Sequence, residues 1–172
     1  MGYDFILFRL RRPIAPCPAR IPPDFGAGSV VSMEDPTPVH DAMRASPLFD
    51  PGSVRFDGTR FTWRTPDGGT LDVDAIAHGM NIDTHAHWDH VAELFDVVLA
   101  VWPDTALFDL QKAHVHDAAS FRAFVERAYR EAALKAAERA ADKAAPGPGT
   151  EDRPGQGPEE TRAQAPGGGE PV

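Results

Sequence analysis

The 172-residue sequence has a single cysteine and comparatively few basic residues. With Cys17 alone, neither an intrachain disulfide nor a cysteine zinc cluster can form. Lys and Arg number 17 against 26 Asp and Glu, which gives a formal net charge of −9. A nucleic-acid groove or a surface that docks on an anionic membrane needs the opposite charge. The sequence therefore predicts no nucleic-acid or membrane partner, and it permits a basic protein partner.

Targeting and membrane-spanning patterns are also lacking. The sequence opens with a short, mainly apolar stretch, and Arg9, Arg11 and Arg12 lie at its end or after it, whereas a signal peptide carries its positive charges in front. No run approaches the roughly 18 apolar residues of a membrane-spanning helix. We therefore expect a cytoplasmic protein.

Two stretches are too rich in proline or glycine for regular structure. Residues 146–172 hold 13 Pro or Gly among 27 residues, which predicts a disordered tail. Residues 11–36 are rich in proline and predict a surface loop outside the sheet. The remaining residues suffice for one small core, so we expect residues 1–145 to form a single α+β domain.

Alternation of apolar and polar residues predicts a short antiparallel meander. An apolar stretch at 3–10 predicts the first strand. A Pro-Asp-Gly-Gly turn joins two alternating segments within 60–76, and a third alternating segment covers 80–87. With a short strand at 106–110, these segments predict an antiparallel sheet of four or five strands.

Two main helices are expected to cover one face of this sheet. Apolar residues at spacings of three and four indicate a helix over 89–102, with Asp89 as its N-cap. A second helix is expected over 120–145, where an apolar edge gives way to alanine and scattered charge. A Thr-Pro pair marks the start of a further short helix over 37–44.

One short string, Thr-His-Ala-His-Trp-Asp-His, carries residues typical of metal chemistry: His85, His87, Asp89 and His90. It resembles the His-x-His-x-Asp-His signature of the metallo-β-lactamase superfamily, and here too it lies between a predicted strand and a predicted helix. The resemblance implies a zinc-dependent hydrolase, with His85 and His87 on one zinc and the other two residues on a second. In that family the metal pair activates a water for hydrolysis.

The rest of the family pattern is absent from the sequence. The superfamily has further His and Asp ligands downstream, whereas His114 and His116 come too early and nothing suitable follows them. The resemblance covers only residues 83–110, and the family fold needs on the order of 200 residues or more. The sequence therefore does not predict a complete dinuclear site.

The string also has a purely structural explanation. His85 and His87 fall on the solvent face of the strand predicted at 80–87, and Asp89 serves as a helix N-cap. A third alternative is metal binding without catalysis. These alternatives differ in a simple geometric respect, because a metal site needs a third ligand beside His85 and His87.

A second resemblance extends over residues 3–111. The opening Met-Gly-Tyr-Asp-Phe-Ile-Leu-Phe and the later Phe-Asp-Leu-Gln are similar to segments of small uncharacterised bacterial proteins with a Tyr-Asp-initiated strand, a hairpin and one helix. Some members of these groups look like immunity proteins that neutralise a toxin by binding it. The resemblance implies a non-enzymatic protein-binding module with no active-site residues, and the acidic charge suits a basic toxin. The sequence favours this module, without a cofactor, over the zinc hydrolase.

Overall fold

The computed structural model describes residues 3–33 and 35–144, so the tail predicted at 146–172 lies outside the described residues. The strands within them are β1 (Tyr3–Arg9), β2 (Ala19–Arg20), β3 (Val54–Asp57), β4 (Arg60–Arg64), β5 (Thr70–Ile76), β6 (Gly79–Thr84), β7 (Thr105–Asp109) and β8 (His114–His116). The helices are α1 (Thr37–Ala45), α2 (Trp88–Val101) and α3 (Ala118–Ala144).

All of these strands form one antiparallel sheet in the order β2-β8-β7-β1-β6-β5-β4-β3. The α+β class and the antiparallel sheet are confirmed, but the prediction of four or five strands is wrong, because the described part of the chain contributes eight. The additional strands are β2, β3 and β8. Each is only two to four residues long, which is too short for alternation to show in the sequence.

The helices cover one face of the sheet around the main hydrophobic core. Alternate strand residues point into this core, among them Phe5 in β1, Trp63 in β4 and Ile82 in β6. The predicted apolar stripe of α2 is buried there, and its members are Val91, Ala92, Leu94, Phe95 and Val98. Burying one such large side chain stabilises the fold by about 1.5–3 kcal/mol, so the core fixes the strands firmly.

The opposite face of the sheet is covered over only part of its width. Against β1, β7 and β8, a second hydrophobic cluster joins Phe108 and Val115 to residues of the 11–36 segment, including Phe25 and Val30. The same segment supplies β2 and a bridge from Val30 to the end of β1. Composition predicts that the proline-rich segment lies outside the sheet, and this prediction is wrong. The scattered apolar residues of the segment form a surface that packs on the strands.

The remaining part of this face, which we call the open face, has no such cover among the described residues. It consists of the outward-pointing residues of β3 to β6 together with Asp4 of β1, which alternate with the core residues along each strand. Its charged and polar side chains are Asp4, Arg55, Asp57, Arg60, Thr62, Arg64, Thr70, Asp72, Asp74, Asn81 and Asp83.

Two boundaries near the histidine string differ from the prediction. β6 ends at Thr84 instead of residue 87, where the Thr84 hydroxyl accepts a hydrogen bond from Ala86 N–H at 3.1 Å as the chain turns. α2 begins at Trp88, with His87 at the N-cap position and Asp89 in the first turn. The prediction of Asp89 as N-cap is wrong, although a carboxylate in the first turn still interacts favourably with the helix dipole.

Contacts divide the chain into two units, with the boundary after Leu134. In the first unit, Asp117 Oδ1 accepts a hydrogen bond from Ser120 N–H at 2.7 Å and so caps α3. In the second unit, residues 135–143 of α3 are exposed. None of the described helices combines the length and the apolar character needed to cross a membrane.

Candidate functional site

The histidine string lies where the turn between β4 and β5 meets the end of β6. His85 N–H donates to the Thr70 carbonyl at 2.8 Å, which holds the string against the start of β5. Gly69 lies directly against Ala86, because a Cβ built on Gly69 would come within 2.5 Å of the Ala86 Cα. This close approach requires glycine, and it brings the neighbouring Asp67 up to the string.

The Asp67 carboxylate accepts several hydrogen bonds at this junction. Its Oδ1 accepts from the Thr65 hydroxyl and from Gly69 N–H, and its Oδ2 accepts from His87 N–H at 3.3 Å. These hydrogen bonds, above all the one from Thr65, lower the pKa of Asp67 to about 2. Asp67 is therefore a fixed negative charge at neutral pH.

Two of the four predicted metal ligands face this carboxylate. His90 Nε2 lies 3.3 Å from Asp67 Oδ1, and His87 Nε2 lies 3.7 Å from Asp67 Oδ2. His90 Nδ1 is also 2.7 Å from Glu93 Oε2, and the His90 ring stands edge-on to Trp63 with 5.2 Å between centroids. Held between two carboxylates, the His90 ring has a fixed orientation.

The other two predicted ligands make no such contact with Asp67. His85 Nε2 lies 3.8 Å from Asp83 Oδ1, and Asp89 is exposed on the first turn of α2. Across the described residues, no group of three or more His, Cys, Asp or Glu side chains is arranged to hold a metal ion. Zinc binding by the four side chains of this string therefore stays a prediction.

A second polar cluster is buried beneath the start of α3. The Tyr3 hydroxyl donates to both carboxylate oxygens of Asp109 at 2.9 Å. On the adjacent strand, His116 is only 1% exposed, and neither of its ring nitrogens has a hydrogen-bond partner among the described residues. Burial lowers the pKa of His116 and raises that of Tyr3. Because Asp109 and His116 are shielded from solvent, this cluster bears on stability and not on a surface site.

The open face carries five aspartates, and four of them lie on the adjacent strands β1, β6 and β5. We call these four the acidic band: Asp4, Asp72, Asp74 and Asp83. The sheet register places Asp83 directly opposite Asp4 on one side and directly opposite Asp72 on the other. Like charges in such positions destabilise a sheet by a few tenths to about 1 kcal/mol per pair. Part of this is offset by Arg60, whose Nη2 lies 3.7 Å from Asp72 Oδ1. The Asp83 side chain remains 46% exposed and available to a partner.

Sequence patterns indicate the histidines of the first cluster but assign its central carboxylate, Asp67, only to a turn. Glu93 follows His90 by three residues on a helix, and this spacing is a signal that predicts their contact. The acidic band has no comparable signal. Asp4 is distant in sequence from Asp83, and only the insertion of β1 beside β6 brings them together.

Comparison of the chain with protein-family models, with curated proteins and with solved structures finds no match. A function must therefore rest on the chain's own geometry. The acidic band and the Asp67 cluster are the two surface features that bear on it.

Proposed function

We propose that the chain is a non-enzymatic, cytoplasmic protein-binding module that binds a basic protein through the acidic band, in the manner of an immunity protein that neutralises a toxin. The observation that carries this proposal is the row Asp4, Asp83 and Asp72. In this row Asp83 stands directly opposite Asp4 on one neighbouring strand and Asp72 on the other. Such a row disfavours the free sheet, but it becomes favourable when a partner supplies Lys or Arg side chains.

The rigidity of the sheet supports the same proposal. Each aspartate of the band neighbours a core residue along its strand, and these neighbours are fully buried: Phe5, Leu71, Val73 and Ile82. A preformed surface loses little conformational entropy when it binds. The net charge of −9 would in addition steer a basic partner toward the chain at long range.

A titration with a defined cationic probe tests the proposal. Decalysine is added to ¹⁵N-labelled protein at low ionic strength, and amide shifts are followed residue by residue. We expect the largest shifts around Asp4, Asp72 and Asp83, and we expect them to disappear with added salt because salt screens exposed charges. Shifts spread evenly over all acidic residues, or confined to His87 and His90, would contradict the proposal.

A zinc-dependent hydrolase is the second candidate, and one observation favours it. His87 and His90 both bring Nε2 within 3.7 Å of the Asp67 carboxylate, and imidazole and carboxylate are typical zinc ligands. The test is metal analysis of protein purified without a histidine tag, together with His87→Ala and His90→Ala. Stoichiometric zinc that both substitutions remove supports the zinc site that the hydrolase requires, whereas a metal content that neither substitution changes argues against it.

A further inference from the structure

Strand β3 forms one edge of the sheet and has a free side. The Ser53 carbonyl accepts a hydrogen bond from Arg64 N–H at 2.8 Å. Because hydrogen-bonded and non-hydrogen-bonded pairs alternate along an antiparallel ladder, the next residue, Val54, and also Phe56 belong to non-hydrogen-bonded pairs with β4. The backbone N–H and C=O groups of Val54 and Phe56 therefore point away from β4, along the free edge.

The two charged residues of β3 have opposite signs. Arg55 and Asp57 both point to the open face, and both are exposed. Among the described residues, neither takes part in an ion pair, whereas Arg60 on the next strand pairs with Asp72. Charges on an edge strand usually oppose pairing with another chain. Arg55 and Asp57 are two residues apart, however, and this spacing makes the edge complementary to itself.

We propose that two copies of the chain form a two-fold symmetric dimer by antiparallel pairing of their β3 strands, with Phe56 opposite Phe56 of the partner subunit. This register places Arg55 opposite the partner subunit's Asp57, and by symmetry Asp57 opposite the partner subunit's Arg55. Both are non-hydrogen-bonded pairs, in which side chains approach most closely, so two cross-strand ion pairs form. A shift of the register that places Val54 opposite Phe56 of the partner subunit would instead bring Arg55 opposite Arg55 of the partner subunit.

Apolar surface along the same edge adds to these contacts. Phe56 is only partly buried, and the Arg44 guanidinium lies 4.2 Å from its ring centroid. Next to it, on the helix-covered face, is a cleft of about 210 Å³ lined by Met43, Arg44, Phe49, Pro51, Val54 and Phe56. Pairing of the two edges would cover the exposed part of both Phe56 rings, and an isologous interface of this kind closes at two subunits. The dimer is independent of the proposed function, because the acidic band lies on β1, β5 and β6.

The test measures the mass of the full chain by sedimentation velocity over a range of concentrations. We expect a concentration-dependent dimer. Arg55→Asp or Asp57→Arg alone should raise the dimer dissociation constant about tenfold or more, because each turns both symmetric ion pairs into repulsions. The matched control Arg64→Asp makes the same charge change on the neighbouring strand and should leave the dimer intact.

Two rescue experiments make the register itself testable. Mixing the Arg55→Asp protein with the Asp57→Arg protein should give a heterodimer, since every facing pair is then of opposite charge. The double variant with both substitutions should form homodimers again, and circular dichroism checks that each variant is folded. A monomer at all concentrations overturns the proposal, as does a dimer that both single variants retain, or single variants that are folded but not rescued by mixing.

Discussion

Replacing Asp83 by Asn is expected to stabilise the free protein, although it removes a residue from the proposed binding surface. Asp83 stands between Asp4 and Asp72, so the substitution relieves two like-charged pairs while preserving the shape of the side chain. Asp74 provides the matched comparison, because it stands opposite Arg60. Asp74→Asn causes the same change in net charge but weakens an attraction.

The magnitude follows from the register and the exposure of these side chains. Two like-charged pairs at a few tenths to about 1 kcal/mol each set the upper limit of the gain. Solvent screens the half-exposed Asp83 carboxylate, which reduces the repulsion. We therefore expect Asp83→Asn to raise the free energy of unfolding by about 0.5–1 kcal/mol, and Asp74→Asn to leave it unchanged or lower it by up to about 0.5 kcal/mol.

Urea unfolding followed by circular dichroism measures both values. At pH 8 and low ionic strength the two variants should move in opposite directions from the unsubstituted protein, and about 1 M NaCl should shrink both differences. A destabilising Asp83→Asn would refute the repulsion inferred from the register. Equal gains in both variants would also refute it, because they would show a response to net charge alone.

Three further substitutions test the Asp67 cluster, the buried His116 and the close contact of Gly69 with Ala86. Asp67→Asn should lower the free energy of unfolding by about 1–2 kcal/mol at pH 7. Because the pKa of Asp67 is about 2, this difference should persist above about pH 4 and vanish as the pH falls toward 2 in acid titrations of both proteins. His116→Leu should reduce the loss of stability that the protein shows between pH 7 and 5, because the folded state resists protonation of His116 and the unfolded state does not. An unchanged slope would assign the loss to His40, because burial lowers the pKa of that side chain too. Gly69→Ala should destabilise by about 1–3 kcal/mol in urea unfolding, whereas Gly28→Ala, which meets no atom within 4 Å, should not.

The fold could be predicted from the sequence wherever an element was long enough to show its period. The strands predicted from the sequence are all at least five residues long in the structure, and α2 is recognised by its buried stripe. β2 and β8 pair mainly because the sheet and the apolar residues of the 11–36 segment hold them together. That is a tertiary effect, which local composition does not contain.

The candidate sites are harder to predict from the sequence than the fold, because they depend on the order of the strands in the sheet. The histidine string is contiguous and stands out at once, but its central carboxylate, Asp67, reaches it through the close contact of Gly69 with Ala86. Asp4 and Asp83 are far apart in the sequence, and they come to stand opposite each other only when β1 pairs with β6. Local patterns show that both aspartates face solvent, and they cannot show that the two face each other.

Affinity for decalysine, compared between two charge-matched triple variants, tests the proposed binding surface most directly. The first neutralises the row of the acidic band with Asp4→Asn, Asp72→Asn and Asp83→Asn. The second neutralises three exposed carboxylates of α3 with Glu126→Gln, Glu131→Gln and Glu138→Gln. We expect the band variant to bind about tenfold more weakly or worse while unfolding at higher denaturant, and the α3 variant to lose less than about threefold. Equal losses of affinity in the two variants would mean that decalysine responds only to net charge, and they would contradict a binding surface at the acidic band.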